Sequence, residues 1–330
     1  MASTAAGNVR PLRAAWRAPG GVLEDSTMLR IAFASRPCRA LRQTTLAGAN
    51  LAGHGTSTAR LREPSPVRWL LRGLAVGYVL LLVAWPVSLV VRYTFADGMT
   101  ALASTLSDPL VTHALRLTAV VSLCAVAVNL VFGVGISLLL VRHVFPGRRV
   151  LSALVDLPMS VSPVVVGLAL LLVYNPRTGL FGQALDAHGV QVVFATPGMV
   201  MATAFVALPL VIREVVPVLE EVGDEQEQAA RSLGANAVQT FRRVTLPGIR
   251  WAVVYGVVLS LARSLGEFGA VKVVSGNVMG QTQTATLVVE QRYQSFDQST
   301  AYAAAFLLAL ASVLCIVVVS ILRPSESRQS

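Results

Sequence analysis

Arg263 and Glu267 stand four residues apart inside the apolar stretch from Ile249 to Val271. On a helix that spacing puts them on one face, where opposite charges neutralise each other. Within a membrane such a pair marks either a functional interior or a purely structural ion pair. No catalytic set accompanies it. The chain has no HExxH, no GxSxG and no paired intramembrane carboxylates. Its single lysine, Lys272, is followed by Val273, whereas a P-loop needs lysine followed by serine or threonine. Any ATP must therefore be hydrolysed by another polypeptide. Cys38, Cys124 and Cys315 lie far apart, which argues against a disulfide framework or a zinc site.

With 54% hydrophobic and 13% charged residues, and a mean hydropathy of +0.65, the chain is too apolar for a soluble domain of 330 residues. The fold class is all-α, a polytopic membrane protein. Six apolar segments are each long enough to cross about 30 Å of hydrocarbon. They run from Val67 to Val91, His113 to Val141, Val150 to Tyr174, Val193 to Ile212, Ile249 to Val271 and Thr300 to Leu322. Arg142, His143, Arg148 and Arg149 follow the second segment, and Arg213, Arg231, Arg242, Arg243 and Arg250 surround the loop after the fourth. The alternate loops are poorer in arginine, so the positive-inside rule places both termini in the cytoplasm.

Residues 1–66 are rich in Arg, Ala, Gly, Ser, Thr and Pro, with Glu24, Asp25 and Glu63 their only acids. They read as a disordered basic tail or a start assigned too far upstream, with an organellar transit peptide ranked below both. Residues 67–323 form the transmembrane domain, and 324–330 a short cytoplasmic tail.

Prolines inside spans are tolerated where neighbouring helices or a wet cavity compensate the freed backbone groups. In the third segment Pro158 and Pro163 flank Ser160 and Ser162, whose hydroxyls either bond back to the helix or line a polar path. Pro209 reads as a kink. Asn129, Gly133 and Gly135 suggest close helix packing. Gly266 and Gly269 bracket Glu267 and Phe268, which permits tight contact at that level. Lys272, Ser275, Gly276 and Asn277 are placed at the external mouth, either as a positive, donor-rich exit for an anion or as a solvated loop. Arg116 and Arg263 are the candidate intramembrane cations.

Between the fourth and fifth segments lies a polar, amphipathic stretch over 225–247. Asp224 and Glu227 have the spacing of a capping box, which starts a helix near Glu225. Ala230, Leu233, Ala237 and Phe241 recur at helical spacing and share one face. Gly234 allows a bend between two short helices, and Leu246–Pro247 marks where a helix stops or restarts. Alone, these residues also fit a solvated connecting helix.

Gln228, Ala229, Ala230, Gly234, Val244, Leu246 and Pro247 resemble the EAA loop of bacterial ABC importer permeases, with Gln228 where the family usually has Glu and Val244 where it usually has Ile. The stretches LPMSVSPVVVGLALLLVY, ARSLGEFGAVKVVSGN and GQTQTATLVVEQRY further resemble the sulfate and thiosulfate importer permeases of the sulfate/molybdate family. Asn175 stands where a glycine is usual. The resemblance covers Arg68 to Arg323 and implies the type I ABC importer permease fold in a bacterial cell membrane. It implies a coupling helix that enters a groove on an ATPase, with Gln228, Ala229, Ala230, Leu233, Gly234, Ala237, Phe241, Leu246 and Pro247 as coupling residues. It also implies a pair of ATPase subunits carrying ATP and Mg, a second related permease subunit and an extracytoplasmic sulfate-binding protein, with no cofactor on this chain. Ser160, Ser162, Pro163, Arg263, Gly266, Glu267, Gly269 and Asn277 are the pathway or gate candidates. A molybdate or tungstate permease is the alternative within the class, and an intramembrane enzyme or passive channel outside it.

Overall fold

The computed structural model describes residues 65–96 and 98–322. The proposed tails at 1–66 and 324–330 lie outside them, except that Ser65 and Pro66 already open the first helix. Every regular element among the described residues is a helix, with no strand among them. Helix α1 (Ser65–Val79) passes through a π-helical turn at Leu80–Ala84 into α2 (Trp85–Thr94). Then come α3 (Met99–Ser107), α4 (Pro109–Arg142), α5 (Arg148–Ser160), α6 (Pro163–Tyr174), α7 (Gly182–Ala187) and α8 (Thr196–Val222). Two short helices, α9 (Glu225–Ser232) and α10 (Ala237–Thr240), precede α11 (Leu246–Leu265), α12 (Gly269–Ser275), α13 (Ala285–Gln294) and α14 (Gln298–Leu322).

Among the described residues, five stretches are long and apolar enough to cross a membrane: Trp69–Thr94, Pro109–Arg142, Thr196–Val222, Ala237–Leu265 and Gln298–Val318. The third expected span is different. Its two halves, α5 and α6, meet at 113°, and only together do they make a sixth crossing. The cause is Pro163, which has no N–H and pushes Ser162 into an extended conformation (φ −59°, ψ 134°).

The fifth expected span is also broken. Helix α11 ends at Leu265, and α12 starts at Gly269 after a three-residue interruption. Lys272 and Ser275 therefore sit on a helix, not in an external loop, and Ser275 is buried.

Helices α4, α8 and α11 make the centre. Val134, Val211, Val215, Leu219, Ile249, Ala252 and Val253 form one buried cluster between them. Gly133 lets α8 approach, since a Cβ there would lie 2.8 Å from a Val211 methyl; Gly135 faces open space instead. Asn129 donates to the Ser260 hydroxyl at 3.2 Å, a buried polar link between α4 and α11. Pro209 is buried within α8.

Around this centre, α6 and α12 pack on α8 through Val166, Ala202, Val206, Ala270 and Val274. Helix α13, which no apolar run announces, is fixed by Thr118 of α4, whose Oγ1 accepts the backbone N–H of Ala285 at 2.9 Å. Helices α1 and α2 stand apart, with Trp69, Leu74 and Leu81 each at least 70% exposed. They join the rest near their end, where Tyr93 stacks on Tyr302 and Phe95 meets Phe306 edge-on.

Helices α6 and α12 approach closely at Gly167, where a Cβ would fall 2.8 Å from the Ala270 carbonyl oxygen and 2.9 Å from Val273 Cβ. Overpacking at such a site costs about 1–3 kcal/mol. Gly167→Leu is expected to lower the melting temperature of the detergent-solubilised chain, while Gly135→Ala leaves it unchanged.

Candidate functional site

The stretch over 225–247 folds locally into two short helices with a turn between them. Gly234 adopts φ +90°, a conformation that an L side chain resists, and this ends α9 at Ser232, with Leu233 as its C-cap. The Ala235 N–H returns to the Ala230 carbonyl at 3.0 Å to close the turn. The bend expected at Gly234 is present. The shared apolar face is not. With the chain reversing at Gly234, Leu233 is 89% exposed, Ala237 is exposed and Ala230 is half-buried, while Phe241 packs on the α4–α8–α11 core.

The capping box also falls elsewhere. Helix α9 begins at Glu225 as expected, but the Asp224 side chain makes no cap and instead accepts from Gln228 Nε2 at 2.7 Å. The reciprocal pair belongs to α10, where Asn236 Oδ1 accepts from Gln239 N at 2.8 Å and Gln239 Oε1 accepts from Asn236 N at 3.1 Å.

Pro247 neither stops nor restarts the helix. A π-helical turn at Phe241–Thr245 carries α10 into α11, with the Leu246 N–H reaching the Phe241 carbonyl five residues back. Widening by one residue re-routes the bonding just before a residue that has no N–H to give. Gln228, Ala229 and Pro247 are exposed, and Leu246 is half-buried.

Glu227 turns towards the bundle, where it is 7% exposed. Its Oε1 accepts from Arg142 Nε and Nη2, both at 3.2 Å, and from the Thr245 hydroxyl at 2.9 Å. Arg142 also donates to the Leu219 carbonyl at 3.1 Å and the Gly223 carbonyl at 2.6 Å, covering the last turn of α8. Losing one partner of such a buried pair costs about 3–5 kcal/mol. Sequence reasoning counts Arg142 only as an inside charge. Its partners lie 85 and 77 residues away, and no local pattern points to them.

A second group gathers where the two broken spans cross. Gly269 abuts Pro163 and Val164, with a Cβ there 3.2 Å from either side chain. Beside it, Glu267 is 3% exposed, and its Oε1 accepts the Ala270 N–H at 3.1 Å. Its Oε2 lies 2.7 Å from Arg263 Nη1, an ionic contact without hydrogen-bond alignment. The Arg263 side chain is 38% exposed.

Pro163, Arg263, Gly266, Glu267 and Gly269 are thus brought together, with Ser160 and Ser162 exposed beside the α5–α6 break. Asn277 is not among them: it lies past the far end of α12, with its N–H on Ser275 Oγ. Lys272 is not an unpaired positive charge at a mouth, because Glu290 of α13 neutralises it. Arg116 is exposed on α4.

Residues 129–328 match the family described as binding-protein-dependent transport system inner membrane component. The chain is 44% identical over 258 residues to the sulfate transport system permease protein CysW of Synechococcus elongatus, covering 78% of this chain and 90% of that protein. It belongs to this permease family, on the CysW branch. A paralogous branch is also similar: the sulfate transport system permease protein CysT of Salmonella typhimurium is 36% identical over 257 residues, which is 78% of this chain and 92% of that one. The backbone matches a bacterial ABC transporter that imports alginate, with a TM-score of 0.62 and 17% identity over 78% of this chain and 96% of that one. At that identity the match concerns the fold.

In this permease a Cβ at position 234 meets no atom within 4 Å, so the cost of replacing Gly234 is conformational. A left-handed residue other than glycine costs about 1–2 kcal/mol. Gly234→Val is expected to lower the melting temperature of the bundle by no more than a few degrees and to reduce transport by the assembled importer roughly tenfold, measured as uptake into proteoliposomes.

Proposed function

We propose that this chain is one of two membrane subunits of an ATP-driven importer that carries sulfate, and thiosulfate with it, into a bacterial cell for sulfur assimilation. The observation that carries the reading is the placement of α9 and α10. They present Leu233 and Val238, 89% and 66% exposed, outside the bundle, yet Arg142 ties them to it. A polar connecting helix needs no such apolar tips, whereas a partner's groove does.

The partners in this reading are a pair of ATPase subunits, which hold the ATP and Mg, a second permease of the CysT type and an extracytoplasmic sulfate-binding protein. This chain holds no cofactor and has no catalytic residue. Both termini and the α9–α10 segment lie in the cytoplasm, on the side of Arg142, Arg148, Arg149, Arg213, Arg242 and Arg243.

Transport proceeds by alternating access. Closure of the ATPase pair on ATP displaces α9 and α10, the outer halves of the bundle separate, and the docked binding protein releases its anion. The anion then passes the crossing of the broken spans. Selectivity rests chiefly with the binding protein, because Arg263 is already engaged by Glu267 and Lys272 by Glu290.

The test is reconstitution of the four components in liposomes with radiolabelled sulfate and molybdate as competing cargoes. ATP-dependent accumulation of sulfate is expected, with no hydrolysis by this chain alone. Preference for molybdate, or passage of sulfate without ATP, would overturn the assignment.

A further inference from the structure

Helix α9 has little packing of its own. It touches α10 and the π-helical turn that follows, and among its described side chains the only bonds to other elements of the bundle start from Glu227. The carboxylate is buried, and every hydrogen bond it makes uses the same oxygen, Oε1. Through Arg142 that atom reaches the C-terminal end of α4. Through the same guanidinium it reaches the Leu219 and Gly223 carbonyls at the end of α8, and through Thr245 the base of α11. These are the three helices that share the central cluster.

A loop that merely needed anchoring would be served by one contact. Here one carboxylate oxygen is joined to three long rods at their cytoplasmic ends. The guanidinium is planar and uses Nε, Nη1 and Nη2 together, so it fixes direction as well as distance. Gly223, at φ +68°, and Gly234, at φ +90°, flank α9 as turns, so the helix between them moves as a short lever rather than deforming.

We infer that Glu227 and Arg142, with Thr245, form the joint that transmits displacement of α9 to α4, α8 and α11, and that they are positioning residues for coupling rather than mere stabilisers of the loop. The inference rests on the proposed docking of α9 and α10 to the ATPase. A tightly held α9 rotates the three rods together. A loosened one lets the ATPase cycle while the bundle stays still.

The experiment uses the complete importer in liposomes and reads sulfate moved per ATP hydrolysed, in Glu227→Gln, Arg142→Lys and Thr245→Val. A Leu233→Cys variant, crosslinked to the ATPase in the same preparation, reports docking separately. The expected result is a crosslink in every assembled complex and a fall of about tenfold in the ratio for Glu227→Gln and Arg142→Lys. A smaller fall is expected for Thr245→Val, which removes a single hydroxyl and decides the matter if the charged-pair variants do not assemble. A crosslink with an unchanged ratio would overturn the joint and leave docking standing. Uptake and hydrolysis falling in parallel would mean the cluster only supports the loop, which also overturns it. No crosslink would remove the docking reading and the joint with it.

Discussion

Hydrocarbon offers no hydrogen-bond partner to a backbone amide, and three departures from regular helix among the described residues of this permease are answered by protein groups close by. At the interruption after Leu265, Glu267 takes the Ala270 N–H with its side chain, and the Thr286 hydroxyl bonds the Glu267 carbonyl at 2.9 Å. Where α13 begins, Thr118 supplies the acceptor from another helix. Ahead of Pro247 the helix widens for one turn and never opens. The breaks are therefore held structures, and they occur where α6 and α12 meet and where α11 follows the α9–α10 segment.

This constraint explains why charge is used sparingly. The Arg263–Glu267 contact neutralises an intramembrane cation while the carboxylate caps the start of α12. Lys272 and Glu290 bridge α12 to α13, and Arg292 holds Asp108 at the start of α4 and Asp297 at the start of α14. By contrast, Arg213 and Asp156 are about half exposed, and such a pair contributes about 0–1 kcal/mol. The pairs that matter join ends of helices that the apolar core leaves undetermined.

The long spans were legible because α4 and α14 are almost wholly apolar and α8 is apolar as far as Ile212; hydropathy locates them but stops short of the last turns of α8, where Arg213, Glu214, Glu220 and Glu221 continue the helix to Val222. The broken ones were harder. Pro163 carried a visible signal, whereas Gly266 and Gly269 read equally well as packing residues inside one straight helix. Helix α13 mixes Thr, Glu, Gln and Arg with its apolar residues and depends on Thr118 from far away in the chain, so no window over it stands out. In the α9–α10 segment the motif located the element and the bend. It misled on the shared face, because spacing counts residues as though the helix continued through Gly234. Glu227 was assigned to its neighbour Asp224, since local capping is the only partner a sequence window can offer it.

The Arg142 cluster also bears on how separable this permease is. The α9–α10 stretch looks like a portable cassette, bounded by Gly223 and Pro247. Its anchoring arginine, however, belongs to a helix that ends more than 80 residues earlier. A chimera that exchanges only the stretch between those bounds with a relative would leave the guanidinium facing foreign acceptors. A transplant that keeps the stretch anchored must therefore carry the end of α4 with it.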